Sequence, residues 1–411
     1  MRVLVTGLSL QGNKGGAALA LALAAQLAGR VKDLEITFAV SAGPYYQYER
    51  LWAERFGVEV TGRFVYGDLL RLDVLKDIPG VLRNLRSWLK RVRETDLIID
   101  LSAISYVGPP ASGKRNIYRN SRFSYFLSAK VTGRPFLAWT QSYGPFSTPL
   151  LKLMARMDLG RQPIIFCRGE QSREEVRKIL PEKRSMSFPD VATTLPMEPE
   201  EAAEALGKIW KAEENRRLIT VTPSAVLFSR GRRGGEGNAH LSQMVSLCRS
   251  LSSREYRILL VPHTFRPGDP SPSICDTAVC KLIMDELGGD DHVRRLEGDL
   301  SPSGLKSVIS SAHLHVSGRY HSLIAALSTG VPAIAISWHH KYYDVMEQYG
   351  LAGYVCRTMS PGAEDLLSML EEMEVKRDKV SDELRDRQRL IELEVAKNAD
   401  IFVGLMGKYR T

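Results

Sequence analysis

The sequence predicts an α/β protein of two domains, each built on a doubly wound parallel sheet. Short apolar runs alternate along almost the whole chain with amphipathic segments of roughly ten to fifteen residues, as strands and crossover helices do in parallel sheets. The chain has 411 residues, which is long enough for two hydrophobic cores. A charged segment with two prolines at 195–216 interrupts the alternation, so it marks the predicted domain boundary.

We assign residues 1–200 to an N-terminal domain, 201–380 to a C-terminal domain, and 381–411 to a C-terminal helix, for which we expect packing back on the N-terminal domain. The predicted strands of the first half are Val3–Thr6, Ile36–Val40, Leu97–Leu101, Phe136–Thr140 and Ile164–Cys167. Those of the second half are Leu218–Thr222, Ile258–Val261, Val293–Leu296, His315–Val316 and Ala333–Ile336. Ligands of such sheets bind beyond the carboxyl ends of the strands, so functional residues are expected in the segments that follow them.

Composition and charge narrow the possible partners. The net charge of +9 favours an anionic partner. The basic residues are dispersed and form no array interleaved with aromatic residues, so nucleic acid is not expected as a partner. Five cysteines without a C-x-x-C pair argue against a disulfide framework or a zinc site, and they are typical of a reducing cytosol. No apolar run reaches the ~20 residues of a membrane span. We therefore predict a cytoplasmic protein.

The segment at 317–351 contains a strand-to-helix junction with the residues of an anion site. Arg319 follows an apolar strand, and His321 opens the next helix. The free N–H groups of a helix N-terminus favour an anion, and a guanidinium can bind a carboxylate or phosphate through two hydrogen bonds. Histidine is the side chain that exchanges a proton near neutral pH. Spacing alone equally allows a surface arginine beside a capping histidine.

The loop at 11–16 joins the first predicted strand to the first helix. It contains Asn13, Gly15 and Gly16. The glycines allow the backbone to approach a ligand closely, and the helix end favours an anion. The loop is neither a G-x-G-x-x-G motif nor a P-loop. A sugar or its phosphate is therefore a better expectation here than a nucleotide.

Two further basic residues follow predicted strands of the second half. His263 ends the strand at 258–261, at the same expected edge of the sheet, and Lys341 follows the last strand, where it could contact phosphate. Histidines at strand ends are more often structural, and lysines are commonly solvated, so both roles stay open. The pair His339 and His340 has no third residue at a ligand spacing, so no metal site is predicted.

These segments together resemble the polysaccharide pyruvyl transferase family. The most specific segment is Gly318-Arg319-Tyr320-His321-Ser322, followed by Gly330-Val331-Pro332 and Lys341. The other matching segments come in the family's order: Asn13 with Gly15-Gly16, Tyr143-Gly144-Pro145-Phe146, Cys167-Arg168-Gly169-Glu170-Gln171-Ser172, Phe188-Pro189-Asp190-Val191 and Val261-Pro262-His263. The resemblance extends over nearly the whole chain.

The resemblance implies a GT-B-like fold, in which two Rossmann-like domains face a cleft. The N-terminal domain would bind the acceptor and the C-terminal domain the donor. It also implies transfer of pyruvate from phosphoenolpyruvate to sugar hydroxyls, usually as a cyclic ketal, in a cell-surface polysaccharide or its lipid-linked precursor. The donor is itself a substrate, so no cofactor is expected.

The resemblance and the residue chemistry together suggest roles for the matching residues. His321 or His263 would be the general acid. Arg319, beside Tyr320, would hold one anionic end of phosphoenolpyruvate, and Arg168 the other end from across the cleft. For Arg168, a capping or salt-bridged role is equally open. The full set of expected substrate-binding residues is Arg319, Tyr320, Arg168, Lys341, Asn13, Gly15 and Gly16.

Two segments of the N-terminal domain depart from the family's pattern, so the acceptor is less well defined than the donor. Residues 100–105 replace a glycine-rich segment, and no glycine precedes the Tyr-Gly pair in residues 140–142. The alternatives are a GT-B glycosyltransferase that uses a nucleotide-sugar donor and a non-catalytic glycan-binding relative.

The segment Val81–Arg93 predicts an amphipathic basic helix. Its apolar face contains Leu82, Leu85, Trp88, Leu89 and Val92. Packing of this face on the N-terminal domain is the favoured interpretation. The alternative is a weak, reversible contact with the anionic inner face of the membrane, where the family's lipid-linked acceptors would be found.

Overall fold

The computed structural model describes residues 1–10, 12–41, 46–55, 57–63, 77–107, 121–210, 216–231, 237–266, 271–356 and 362–409. The chain divides into two compact units. The first unit contains Met1–Gln11, Leu19–Val191 and Glu394–Thr411, and the second contains Gly12–Ala18 and Ala192–Leu393. The first turn of the first helix therefore belongs to the second unit.

The strands are β1 Arg2–Thr6, β2 Glu35–Ser41, β3 Glu59–Arg63, β4 Leu97–Asp100, β5 Ile104–Ser105, β6 Phe136–Ala138, β7 Ser142–Tyr143, β8 Ile165–Cys167, β9 Ser185–Ser187, β10 Leu218–Thr222, β11 Arg257–Leu260, β12 Val293–Arg295, β13 Leu314–Ser317, β14 Ala333–Ile336 and β15 Val355–Cys356.

The helices are α1 Lys14–Ala28, α2 Tyr46–Arg55, α3 Ile78–Arg93, α4 Ser121–Thr132, α5 Pro149–Leu159, α6 Glu170–Ile179, α7 Pro199–Gly207, α8 Ala225–Arg230, α9 Ala239–Ser252, α10 Asp276–Leu287, α11 Pro302–Ser310, α12 Tyr320–Leu327, α13 Lys341–Gln348, α14 Ala363–Val375 and α15 Arg377–Met406.

The first unit is built on a parallel sheet whose described strands have the order β3-β2-β1-β4-β6. Strand β1 lies at its centre, where Val3 pairs with Ile36 on one side and Leu97 on the other. Its residues 3–6 are all buried, as expected of a parallel strand that is covered by helices on both faces. The remaining strands of this unit form the short parallel pairs β5-β7 and β8-β9.

Helix α3 packs most of its apolar face inward on the first unit, although Leu82 is exposed. Trp88 is 2% exposed and lies in one cluster with Leu4, Ile98 and Tyr125. Its indole Nε1 donates a 2.8 Å hydrogen bond to Ser128 Oγ. The buried position of Trp88 therefore agrees with the interpretation that this face of the helix packs on the N-terminal domain.

The second unit contains a parallel sheet whose described strands have the order β12-β11-β10-β13-β14-β15. This is the doubly wound Rossmann order, in which the chain moves outward from the central strand in both directions. The central strand β10 pairs with β11 and β13. The carboxyl ends of β11, β10, β13 and β14 therefore lie side by side along one edge of the sheet.

Helix α15 contributes residues to both units, and each part packs within its own unit. In the second unit, Ser381 Oγ donates a 2.6 Å hydrogen bond to the carbonyl of Gly330. In the first unit, the ring of Phe402 lies 4.7 Å from that of Trp139, centroid to centroid. In the part of the chain that the structure describes, none of the helices is both long and apolar enough to cross a membrane.

Candidate active site

The carboxyl edge of the second sheet brings together most of the residues expected to bind the donor. His263 follows β11, and Arg319, Tyr320 and His321 follow β13. Lys341 begins α13, just after β14. Parallel strands end at a common edge, so residues far apart in the chain become neighbours here.

The first turn of α1 lies at the same edge, within the second unit. Lys14 N donates a 3.1 Å hydrogen bond to the carbonyl of His263, and the Lys14 ammonium forms an ion pair with Asp299. Asn13 Oδ1 accepts a 3.1 Å hydrogen bond from Gly15 N, which is the bond of a helix N-cap. The carbonyl of Asn13 accepts a 2.9 Å hydrogen bond from Gly16 N. Asn13, Gly15 and Gly16 were expected on the acceptor side, but they lie in the unit that contains the donor-side residues. Gln11, in the same loop, lies outside the described residues.

Gly15 lies directly against the ring of His321. A methyl group at Gly15 would lie 2.6 Å from Cγ and 2.8 Å from Cε1 of His321, and closer still to Nδ1. The His321 ring can occupy this position because residue 15 is a glycine and has no side chain. The absence of a side chain at residue 15 therefore leaves the space that the His321 ring occupies.

A small cavity lies between the first turn of α1 and the sheet edge. Its lining includes Lys14, Ala18, His263, Lys306 and His321, and its volume is about 20 Å³. That is room for about one water molecule. Ligand pockets usually measure roughly 300–1,000 Å³. The cavity is therefore too small to hold a substrate-sized ligand as it stands.

His263 is buried and neutral at physiological pH. It is 6% exposed, and its Nε2 has no hydrogen-bond partner among the described residues. Burial, followed by the neighbouring charges of His315, His321, Arg319 and Lys14, lowers the pKa of His263 well below its usual value. A neutral imidazole can accept a proton or a hydrogen bond but is a poor acid, so this histidine is the weaker candidate for the general acid.

Arg319 is held by the carboxylate of Asp276. Its Nε lies 3.0 Å from Oδ1 and 2.9 Å from Oδ2 of Asp276, and Nη2 donates to Oδ1 and, at 3.3 Å, to Thr264 Oγ1. Within the described residues Nη1 makes no hydrogen bond, and the side chain is 16% exposed. The sequence analysis predicted that the Arg319 guanidinium binds the ligand through two hydrogen bonds. Here the Nε–Nη2 edge is engaged by Asp276, and Nη1 is the nitrogen left for an anion.

Tyr320 and His321 form the first turn of α12. Tyr320 is 4% exposed, and its ring meets those of His321 and Tyr342 edge to face, at 5.2 and 5.8 Å. Leu323 and Ile324 are buried and fix the helix against the sheet. The backbone N–H groups of this first turn point out of the helix beside Arg319, an arrangement that favours an anion.

The ammonium of Lys341 lies among three aromatic rings. Its Nζ is 4.9 Å from the ring centroid of Tyr320, 4.8 Å from that of Trp338 and 5.5 Å from that of Tyr342. The side chain is nearly buried, with the residue 6% exposed. Cation–π attraction stabilises a charge in such a position.

Arg168 belongs to the first unit and is buried in a polar network there. It follows β8 and is 1% exposed. Its Nε donates a 3.1 Å hydrogen bond to Ser142 Oγ, Nη1 pairs with Asp190, and Nη2 donates to the carbonyl of Ala103. All three nitrogens therefore hold protein segments together. Because the side chain is almost fully buried and each nitrogen already has a protein partner, the proposed donor site does not include Arg168.

The atypical segments of the first unit, 100–105 and 140–142, are also tied to a buried arginine. Arg122 Nε donates a 2.6 Å hydrogen bond to Asp158 Oδ2, and its Nη1 pairs with Asp100. Gln141 Nε2 donates a 2.6 Å hydrogen bond to the same Asp100 carboxylate. Burial of this cluster raises the pKa of Asp158. These polar side chains are therefore hydrogen-bonded to one another within the first unit.

Two residues of the site were missed by the sequence analysis. Asp276 stands at the start of α10 and looks like an ordinary acidic residue in a first helical turn. Lys14 lies inside the loop that was singled out, but nothing in its neighbours predicts the ion pair with Asp299. Among the residues described, no group of three or more His, Cys, Asp or Glu side chains is arranged to hold a metal ion.

The two Rossmann-like units place the chain in the GT-B-like class of folds. The chain is similar to the UDP-GlcNAc 2-epimerase of Neisseria meningitidis bound to UDP-GlcNAc, with a TM-score of 0.60 and 14% identity over 99% of this chain and 100% of that one. It is also similar to HepE of Anabaena in complex with UDP, with a TM-score of 0.59 and 12% identity over 99% of this chain and 100% of that one. These similarities confirm the predicted fold class.

Residues 13–340 match the family model described as polysaccharide pyruvyl transferase. This match covers most of the chain, and the protein belongs to the polysaccharide pyruvyl transferase family, which confirms the resemblance. A curated relative, the amylovoran biosynthesis protein AmsJ of Erwinia amylovora, is 20% identical over 274 residues. The alignment covers 66% of this chain and 64% of the relative's length.

Proposed function

We propose that this protein transfers pyruvate from phosphoenolpyruvate to two hydroxyls of one sugar, in a cell-surface polysaccharide or its lipid-linked precursor. The family match over residues 13–340 and the similarity to a protein named for amylovoran biosynthesis support a transferase that acts on a polysaccharide. The observation that carries the donor assignment is the group formed by Arg319, His321 and the first turns of α1 and α12 at one sheet edge.

Phosphoenolpyruvate carries a carboxylate and a phosphate, so its site requires donors for two anionic ends. In our proposal Arg319 Nη1 and the first-turn N–H groups of α12 bind one end. Lys14 and Lys341 are the candidates for the other end: the Lys14 ammonium is paired with Asp299, and that of Lys341 lies against aromatic rings. Charge-assisted hydrogen bonds of this kind contribute about 1.5–3 kcal/mol each.

The chemistry balances without a cofactor, because phosphoenolpyruvate is already an activated donor. A general acid gives a proton to the methylene carbon, and one sugar hydroxyl attacks C2. The C–O bond to phosphate then breaks, and a second hydroxyl attacks C2 to close the ketal. The two hydroxyl protons go to the general acid and to the departing phosphate. The products are a pyruvate ketal and hydrogen phosphate.

His321 is the general acid in this proposal. It lies in the first turn of α12, two residues after Arg319, and Gly15 leaves room for its ring. His263 faces the same cavity, but its pKa is lowered well below the usual value by burial and by nearby positive charges. We assign His263 the role of a neutral hydrogen-bonding partner within the site.

We place the reaction in the cytoplasm. All five cysteines are buried and none forms a disulfide, which is typical of proteins in a reducing compartment. A lipid-linked acceptor would bring the protein to the inner face of the membrane. Because Trp88 is buried on its own unit, the proposal does not use the apolar face of α3 as a membrane anchor.

Ligand binding tests the donor assignment. Isothermal calorimetry of the intact chain with phosphoenolpyruvate should show saturable binding, and Arg319→Ala should weaken it about tenfold or more. UDP-GlcNAc is the comparison ligand. Preferential binding of UDP-GlcNAc would favour the glycosyltransferase alternative, and binding of glycan without either donor would favour a non-catalytic relative.

A further inference from the structure

Asp276 is a buried carboxylate that joins several strand-end segments of the second unit. It is 0% exposed at the start of α10. Its Oδ1 accepts a 2.8 Å hydrogen bond from Ala225 N, in the segment that follows β10. Its Oδ2 accepts bonds of 3.2 and 2.9 Å from His263 N and Thr264 N, in the segment that follows β11. One side chain thus fixes the backbone after two adjacent strands.

The same carboxylate binds the segment after β13 through Arg319. Nε lies within 3.0 Å of both Asp276 oxygens, and Nη2 reaches Oδ1 as well. Thr264 Oγ1 completes the arrangement, because it accepts from Asp276 N at 2.9 Å and from Arg319 Nη2 at 3.3 Å. The guanidinium is therefore held along one edge, with Nη1 on the opposite side.

The charge of Asp276 determines how the Arg319 guanidinium is oriented. A buried carboxylate is tolerated when it is paired and its oxygens are fully hydrogen-bonded, and Arg319 together with the backbone N–H groups meets both conditions. In return, the carboxylate determines which guanidinium nitrogen is available. Without its charge, Arg319 could rotate and present a different edge to an anion.

We infer that Asp276 is the positioning residue of the donor site: it acts through Arg319 and does not itself touch phosphoenolpyruvate. This inference rests on the proposed function for its kinetic consequence, while the geometry it describes can be measured without any substrate. A merely structural role would change stability but would not couple to Arg319.

The kinetic test is a double-mutant cycle with Asp276→Asn and Arg319→Ala, assayed by phosphate release at varied phosphoenolpyruvate. Asp276→Asn alone should raise KM for phosphoenolpyruvate about 10- to 100-fold, the range of a lost charge-assisted contact. In the Arg319→Ala background it should change KM less than about threefold, because its partner is already absent. Equal effects in both backgrounds would overturn the inference. Asp285→Asn, an exposed change on the same helix, is the matched control and should leave KM unchanged.

A second measurement separates this inference from the proposed function. With ¹⁵N-arginine labelling and no substrate, the Arg319 Nε–H resonance, identified by its loss in Arg319→Lys, should be protected from solvent exchange. Asp276→Asn should abolish that protection. An unprotected wild-type resonance would refute the positioning role even if transfer is observed. If the resonance is protected but the protein shows no transferase activity, the proposed function is refuted and the contact between Asp276 and Arg319 still stands.

If Asp276→Asn does not fold, Thr264→Val serves as the second variant. It removes the hydroxyl that accepts from Asp276 N and Arg319 Nη2 and leaves the ion pair in place. We expect a rise in KM in the same direction, about three- to tenfold, as for the loss of a neutral hydrogen bond. An unchanged KM and unchanged Arg319 exchange protection would count against the inference.

Discussion

At residue 15 the chain has no room for a side chain, because the His321 ring lies against the backbone there. Gly15→Ala should therefore displace the ring and lower turnover by about 10²-fold, as expected when a reacting group is misplaced by about 1 Å. The helix itself should tolerate alanine, which is favoured over glycine by up to about 1 kcal/mol. Phosphate release and thermal unfolding measure the two effects separately.

Gly29→Ala is the matched control for that variant. It lies just beyond the end of α1, and a methyl group there would have no heavy atom within 4 Å among the atoms described. Its turnover should equal that of the wild type. Normal turnover of Gly15→Ala would show that the position of His321 against this backbone has no catalytic importance.

The two histidines of the cavity should respond differently to substitution. His321→Gln should lower turnover by about 10²–10⁴-fold, the usual contribution of a general acid, with a smaller change in phosphoenolpyruvate affinity. His263→Gln should have a smaller effect on turnover, because the low pKa of His263 keeps it neutral. Single-turnover kinetics and calorimetry distinguish chemistry from binding. A larger loss for His263→Gln would reverse the assignment.

Sequence reasoning could bring His263, Arg319 and His321 together because each follows a predicted strand of a parallel sheet. It could not find Asp276, whose importance comes from contacts with three loops that are distant in the sequence. Nor could it foresee that Arg168 is buried with all three nitrogens engaged. Local patterns give the position of a residue along the chain, while its partners depend on tertiary packing.

Among the elements, α3 offers the clearest stability prediction. Trp88→Ala should lower the free energy of unfolding by about 3–5 kcal/mol, because the ring is buried in the core of the first unit. Leu82→Ala, at a position that is 45% exposed on the same helix, should cost less than about 1 kcal/mol. Urea unfolding measures both values.

The membrane interpretation of α3 makes the opposite prediction for these variants. If Trp88 anchored the protein in anionic liposomes, Trp88→Ala would have a mild effect on stability and would abolish co-sedimentation at low salt. Replacing Arg86, Lys90 and Arg93 with glutamate tests the remaining electrostatic contact. Co-sedimentation that depends on these three residues would show that the polar face of α3 binds the membrane.

The longer apolar strands were predictable, and the polar edge strand β3 was not. The predicted strand Leu218–Thr222 coincides with β10, whose residues are all buried. Strand β3 was missed because its sequence EVTGR has no continuous apolar run and its residues are exposed or half-buried. Its extended conformation depends on pairing with β2, and the local sequence does not predict this contact.

For the whole molecule, buried histidines predict a loss of stability in acid. Burial lowers the pKa of His240 to about 4 and that of His315 to about 3, compared with ~6.5 in the unfolded chain. The contribution of each histidine to the free energy of unfolding is therefore fully present above pH ~6.5. It is lost as the pH falls toward the pKa of that histidine in the folded state. Each should add about 1.4 kcal/mol per pH unit to the slope of stability in this window.

His240→Gln isolates one of these contributions. Between pH 6.5 and 4 its unfolding free energy should depend less steeply on pH than that of the wild type, by about 1.4 kcal/mol per pH unit. His292→Gln, at a half-buried position, serves as the control for loss of an imidazole outside the core. Equal slopes for wild type and His240→Gln in urea titrations would show that His240 titrates normally in the folded protein.

The central claim is that the second unit binds phosphoenolpyruvate and delivers its pyruvyl group to a sugar. The most direct measurement incubates the intact protein with phosphoenolpyruvate and a library of glycan acceptors, and follows free phosphate and acceptor mass together. We expect one phosphate to be released for each pyruvate ketal formed, and the yields of both products to fall together in Arg319→Ala and His321→Gln. Transfer of a sugar from UDP-GlcNAc in the same assay, without pyruvyl transfer to any acceptor, would contradict it.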